Sequence, residues 1–219
     1  LGRGAQTEVE ERLRAARTNV LHALSHGARQ VVVVTSAGPR EGASTTAAGL
    51  ARVLALSGHR VVLVGGDLRS PSAVGAPGAP GLAEVLVGTA RLSQVLVEGE
   101  VPGLELLPAG DMPGNPSELL GGRNMSDLLH HLAADRIVII DAPPVCRFTD
   151  AVVLAEYAGG VLLVARAGRT SAEELREAAL AVGQGGGHML GVVLTNVSDL
   201  GRGSRSAQTA VTHAESATV

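Results

Sequence analysis

The stretch "VVVVTSAGPREGASTT", residues 31–46, decides the fold. Four valines in a row read as a strand buried on both faces. A turn of small residues and glycines follows and leads into a Ser/Thr run that opens a helix. That order is the outline of a phosphate-binding loop. The backbone N–H groups of residues 37–44, among them Gly38, Arg40, Glu41 and Gly42 around Pro39, would cradle phosphate oxygens with the helix N-terminus, and Ser44 would offer its hydroxyl to Mg²⁺. Where such a loop carries its lysine, this one has Ala43.

Working outward, the residues on either side repeat the same alternation. Upstream, "TEVEERLRAARTNVLHALSH" predicts a charged amphipathic helix over residues 8–25. Downstream, "STTAAGLARVLALSG" is helical with Gly58 as its C-terminal stop, and "RVVLVGGD" is a second strand. Two short helices are predicted at 82–87 and 92–97, then a third strand at "LELLPAG". In "NPSELL", Asn115 as cap, Pro116 at the first helical position and Glu118 as the capping-box acid predict one helix from 115 to about 132. "RIVIIDAPP", "GGVLLVARAG" and "HMLGVVLTN" complete six strands, with a helix at "TSAEELREAALAVG" capped by Thr170 or Ser171. Strands alternating with helices predict an α/β fold, a largely parallel sheet with helices on both faces. The expected organisation is a helix at 1–28, one ATPase-like domain at 29–197 and a flexible tail at 198–219.

Composition bounds the rest. The chain has 219 residues, enough for one domain with a full core. A net charge of −3 and the absence of a long basic run argue against nucleic acid as a partner. One cysteine, Cys146, closes no internal disulfide, and no apolar run approaches a membrane span, so the expected setting is reducing cytosol. A chain that begins at Leu1 is expected to be a domain cut from a larger protein. Phe148 and Tyr157 are the only aromatics, leaving a core of Val, Leu, Ile and Ala. All 18 basic residues are arginine, so no lysine elsewhere can serve the loop.

In parallel sheets ligands bind beyond the carboxyl ends of the strands. Three such positions carry chemistry: the loop after the first strand, Asp67 after the second with Arg69 close behind, and Asp141 after the fourth, followed by "APP". Asp141 stands where a P-loop protein places the acid that holds its metal through water.

"SAGPREGASTTA", "VVLVGGDLRSPS", "LLPAGDMPGNPSELL" and "IVIIDAPPVCRFTDA" resemble the P-loop, second Walker motif, connecting segment and Walker B motif of the bacterial tyrosine kinases. These are the cytoplasmic ATPase-fold domains of capsule and exopolysaccharide co-polymerases. The resemblance runs over residues 8–196 in matching order. It implies a P-loop fold related to partition and septum-placement ATPases, and Mg-ATP or Mg-ADP as the ligand. It also implies a place at the cytoplasmic face of the cell membrane and a membrane polysaccharide co-polymerase, fused or separate, as partner.

Carried over residue by residue, the resemblance matches Ser44 and Thr45 to the family's hydroxyls, Asp141 to the Walker B acid and Asp67 to the second acid of the second motif. Ser44, Asp67 and Asp141 are therefore the implied metal set. Ala43 stands for the phosphate lysine, and Gly65 for the first acid of the second motif, which the resemblance implies helps activate the acceptor hydroxyl. The tail has no tyrosine to receive phosphate, and Tyr157 reads as core. A charge-assisted hydrogen bond contributes about 1.5–3 kcal/mol, and a cation aimed at transferring phosphoryl is worth roughly 10³–10⁵ in rate. The two losses thus remove transfer more thoroughly than binding, and nucleotide affinity is expected to fall. Rescue would have to come from Arg40, Arg69 or a neighbouring subunit; at Arg40 the guanidinium is bulkier than lysine's ammonium and its backbone position differs from that of the missing lysine.

Glu11, Arg14 and Arg17, spaced by three, share a face of the first helix. Spacing alone reads as a solvated charged face; the resemblance implies packing against a neighbouring subunit and a homo-oligomeric ring. Adjacent His130 and His131 point to different helix faces and are poor joint metal ligands, and Cys146 reads as structural. Thr195 stands where the family commonly has a base-contacting Asn, with Asn196 one place late, which weakens the case for adenine contact. The expectation is a degenerate kinase acting by assembly and regulation. The alternatives are an active tyrosine autokinase or ATPase served by Arg40 or a partner's residue, and a partition-type ATPase, whose second lysine early in the loop is missing here.

Overall fold

The computed structural model describes residues 3–25, 29–70, 74–76 and 78–197, with side chains from residue 13 onward; the predicted tail lies outside the described residues. In chain order the elements are α1 (Arg3–Ser25), β1 (Val31–Ser36), α2 (Ala43–Leu56), β2 (Val61–Gly65), α3 (Leu82–Val87), α4 (Leu92–Val95) and β3 (Val97–Glu98). They continue with β4 (Leu104–Leu107), α5 (Pro116–Leu120), α6 (Arg123–Ala133), β5 (Ile137–Asp141), α7 (Asp150–Tyr157), β6 (Gly160–Arg166), α8 (Ala172–Gln184) and β7 (Met189–Thr195).

The strands form one sheet in the order β3-β4-β2-β5-β1-β6-β7, parallel except for β3. Alternate residues of each central strand serve opposite faces, as the period of a strand requires. Val31, Val33, Val62, Val64, Val138 and Ile140 pack with the helices that include α6, α7 and α8, whereas Val32, Val34, Val61, Leu63 and Ile139 pack with α2 and the end of α1. The expected α/β sheet covered on both faces is what forms.

Three local expectations give way. Residues 92–97 do not form one helix. The backbone of Leu96 is extended, and Val97 and Glu98 pair antiparallel with Leu106 and Glu105, adding a seventh strand at the sheet edge. The single helix predicted over 115–132 is two, because Gly121 and Gly122 interrupt it and Gly122 is extended. The Asn115 side chain does not cap; its Nδ2 donates to Glu118 Oε2 at 2.9 Å. Ser171 is the cap of α8, accepting from the Glu174 N–H.

Candidate nucleotide site

Adjacency of β2, β5 and β1 brings the three predicted strand ends together. Asp141, the last residue of β5, lies in register with Val34 on one side and Gly65 on the other. The backbone locks this junction: Ala142 N–H donates to Val34 O at 2.9 Å, and Gly66 N–H donates to Asp141 O at 2.8 Å.

The loop after β1 has the backbone shape its glycines permit. Gly42 caps α2 at φ 102° and Arg40 sits at φ 60°, both left-handed. Ser36 Oγ donates to Gly38 O at 2.8 Å, and Thr46 N–H donates to Gly42 O at 2.9 Å. Ala43 is buried at the first position of α2, Ser44 is half-buried and Thr45 is exposed. Arg40 is exposed. Glu41 is buried against Gly38, and its Oε2 has no hydrogen-bond partner among the described residues. This places an acid, not a base, inside the loop.

Asp141 is buried, and burial pushes its carboxyl up to about 6; a hydrogen bond with Ser44 lowers it and the charge of Asp67 raises it further. Asp67 is half-buried and likewise raised, by burial first, although its Oδ1 accepts from the N–H groups of Arg69 at 3.0 Å and Ser70 at 3.1 Å. Two carboxylates, both raised by burial, beside a hydroxyl make an all-oxygen donor set, which is the chemistry Mg²⁺ selects. The residues present therefore fit a magnesium nucleotide at the metal end, through Ser44, Asp141 and Asp67. Bound there, it would supply a transferable phosphoryl group and the cation that neutralises its charge. At the phosphate end the loop has backbone N–H groups to offer, and Ala43 supplies no side-chain cation.

Behind Asp67 lies a network the sequence reading did not include. Asp150, wholly buried at the start of α7, accepts from Arg69 Nε at 2.6 Å and Nη2 at 3.1 Å, and from Ser117 Oγ. The Arg69 guanidinium lies 4.6 Å from the Phe148 ring centroid. An acid opening a helix in "FTDA" was the available signal; its partner is 81 residues away, which no local pattern shows.

Gly65 is not an open vacancy. A Cβ there would lie 2.8 Å from the Ala109 nitrogen, because the segment after β4 crosses directly over it. That segment is pinned by α3: Leu82 N–H donates to Pro108 O at 2.7 Å and Ala83 N–H to Ala109 O at 3.0 Å. Glu84 accepts from Gly81 N–H at 2.6 Å and Asp111 N–H at 3.0 Å. Burial raises the Glu84 carboxyl, but these N–H groups outweigh it and hold it below 4.5.

The other candidates separate. His130 and His131 are exposed in the last turn of α6. Cys146 is exposed, and partial burial of its thiol followed by the nearby charges of Glu177, Glu174 and Glu41 raises its pKa, which does not suit a nucleophile. Tyr157 packs against the core and donates through its hydroxyl to Gly121 O at 3.0 Å. On α1, the side chain of Glu11 lies outside the described residues; Arg14 is exposed and Arg17 half-buried beside the stripe of Leu13, Val20 and Leu24 that packs on α2. Among the described residues no helix is long and apolar enough to cross a membrane.

No protein-family model matches the chain. It is 36% identical over 188 residues to the tyrosine-protein kinase YwqD of Bacillus subtilis, covering 84% of this chain and 79% of that one. It is 39% identical over 171 residues to the putative tyrosine-protein kinase EpsB of Ralstonia nicotianae, covering 76% of this chain but only 23% of that protein's length. Among solved structures, the kinase domain of the Escherichia coli tyrosine kinase ETK matches at a TM-score of 0.80 and 30% identity, over 86% of this chain and 77% of that one. The Pyrococcus furiosus cell division ATPase MinD, at 21% identity and a TM-score of 0.64 over 77% of this chain and 73% of its own, shares the fold.

Proposed function

The chain belongs to the bacterial tyrosine kinase family, and on that premise we propose that it is a kinase-shaped domain of capsular or exopolysaccharide biosynthesis that works through assembly rather than phosphoryl transfer. Its role is chain-length control, exerted as a homo-oligomer at the cytoplasmic face of the membrane beside a membrane polysaccharide co-polymerase, fused or separate. Mg-ATP or Mg-ADP binds weakly or not at all.

The observation that carries this reading is Ala43, a buried methyl at the start of α2 in a chain without lysine. The oxygen set for a metal is still grouped, so what is missing is the cation over the transferring phosphate. Arg40 would have to supply it in an active enzyme, yet it is exposed and sits in the left-handed region with its carbonyl tied to Arg166 Nη1 at 3.1 Å. Gly65 supports the same conclusion, since backbone now occupies the space an acid would need.

Calorimetric titration of Mg-ATP into this chain and into its Ala43→Lys variant tests the reading, alongside a phosphotyrosine assay. Tight binding only in the variant, and no turnover by the unaltered chain, are expected. Robust turnover by the unaltered chain, abolished by Arg40→Ala, would establish the active-kinase alternative instead. Assembly is tested separately by light scattering, where charge reversal at Arg14 and Arg17 is expected to dissociate the oligomer.

A further inference from the structure

We propose that Thr195 and Arg166 are positioning residues that hold the phosphate loop in its anion-accepting form, and that they are what preserves the cradle in a chain without the loop lysine. The proposal rests on the nucleotide reading above. Thr195 Oγ1 donates to Glu41 O at 2.6 Å, and Arg166 Nη1 donates to Arg40 O at 3.1 Å. The two residues face each other across the β6–β7 pair, and Ala167 N–H closes the ladder on Thr195 O at 2.9 Å. One end of the sheet edge thus grips two successive loop carbonyls. The methyl of Thr195 also lies 3.2 Å from where a Cβ on Gly42 would fall, so the same side chain walls the loop from outside.

The consequence follows from peptide geometry. In a trans peptide the C=O and the next N–H point in opposite directions, and none of the described bonds is cis. Turning the carbonyls of Arg40 and Glu41 toward the sheet edge turns the N–H groups of Glu41 and Gly42 the other way. Gly42 O, tied down by the Thr46 N–H and hydroxyl at 2.9 Å each, does the same for the Ala43 N–H. Three consecutive amides are set as a nest, with left-handed Arg40 and Gly42 supplying the alternation a nest requires. Without the grip, the peptides at Arg40 and Glu41 could flip and present oxygens to a phosphate. Glu41, whose buried carboxylate already disfavours an anion, makes that loss more costly.

Hydrogen exchange of the peptide covering residues 37–44, in the full chain, reads the grip without any ligand. Thr195→Val keeps the shape and removes the hydroxyl; Thr195→Ser restores it. Exchange about tenfold faster in Thr195→Val, with protection recovered in Thr195→Ser, is expected from the loss of one hydrogen bond. Arg166→Ala should act in the same direction. Mg-ATP titration is then repeated with each change placed in Ala43→Lys, where a several-fold weaker affinity for Thr195→Val is expected. Unchanged exchange in Thr195→Val, or undiminished affinity in the Ala43→Lys background, overturns the proposal. Faster exchange with weakened binding in that background, while the unaltered chain binds no Mg-ATP at all, supports the grip and confines residual recognition to the repaired loop.

Discussion

The exits of β1 and β2 carry Ala43 and Gly65 where the family resemblance puts a lysine and an acid, and the surroundings of the two positions differ. Ala43 opens a helix in a loop held by hydrogen bonds from Ser36, Arg166, Thr195 and, through its N–H and hydroxyl, Thr46. Gly65 ends a central strand, is crossed by Ala109 at a distance no side chain tolerates, and is followed by a turn clamped through Arg69 onto buried Asp150. At Ala43 the surrounding loop leaves a larger side chain room to be tested by substitution. At Gly65 the backbone of Ala109 stands where a Cβ would go. The two can be pulled apart by substitutions whose cost in stability should fall in a definite order.

Arg69→Ala should cost most. It leaves Asp150, wholly buried, with only Ser117 as a side-chain donor among the contacts described above. Removing one partner of a buried pair costs about 3–5 kcal/mol, and contact with the Phe148 ring is lost as well. Urea unfolding measures it. A loss near that of an exposed ion pair, below about 1 kcal/mol, would mean that the second exit is no more rigid than the first.

Gly65→Asp comes next. Its Cβ would meet backbone that Leu82, Ala83 and Glu84 hold in place, so the segment 108–111 must move as a unit. Overpacking of this kind costs about 1–3 kcal/mol, and a carboxylate placed beside Asp67 and Asp141 adds repulsion. Tolerance of this substitution without loss of stability would dissolve the contrast, since Gly65 would then be as open as Ala43.

The contrast also marks what the sequence could carry. Runs such as "VVVV" and "IVII" announce buried strands from their own composition, and parallel order then follows, so the loop, Asp67 and Asp141 were legible together at the strand ends. Contacts between distant segments were not. Ala109 over Gly65, Arg69 on Asp150 and Thr195 on Glu41 join residues 44, 81 and 154 positions apart, and no periodicity records such meetings. Gly121 and Gly122 were visible yet overruled by the strong helix signals on either side.

Glu84→Gln probes the cover over Gly65 with a smaller effect, about 1–2 kcal/mol at neutral pH, since a charged acceptor of two N–H groups becomes a neutral one. The sign with pH is fixed by the direction of the shift. The folded-state carboxyl titrates below 4.5, so its contribution is complete above that value and disappears as pH falls through the folded value. Unfolding curves of the wild type and Glu84→Gln should therefore converge below pH 4.5. A gap that persists into acid would place the anchoring elsewhere on α3.

Ala43→Lys should perturb stability least and function most. A cation at a helix N-terminus opposes the helix dipole by about 0.3–1 kcal/mol. Against that, Glu41, Asp67 and Asp141 all lie at this end of the sheet and their charges favour it. The net change in unfolding free energy should stay within about 1 kcal/mol, while one charge-assisted contact to phosphate tightens Mg-ATP by roughly 10- to 150-fold. If the variant binds Mg-ATP more tightly than the unaltered chain and neither phosphorylates an added tyrosine substrate, the contrast between the two strand ends is a contrast between recognition and chemistry. If phosphorylation of an added tyrosine substrate appears as well, Gly65 is not needed for transfer, and the side chain at position 43 alone sets the chemistry of the two strand ends.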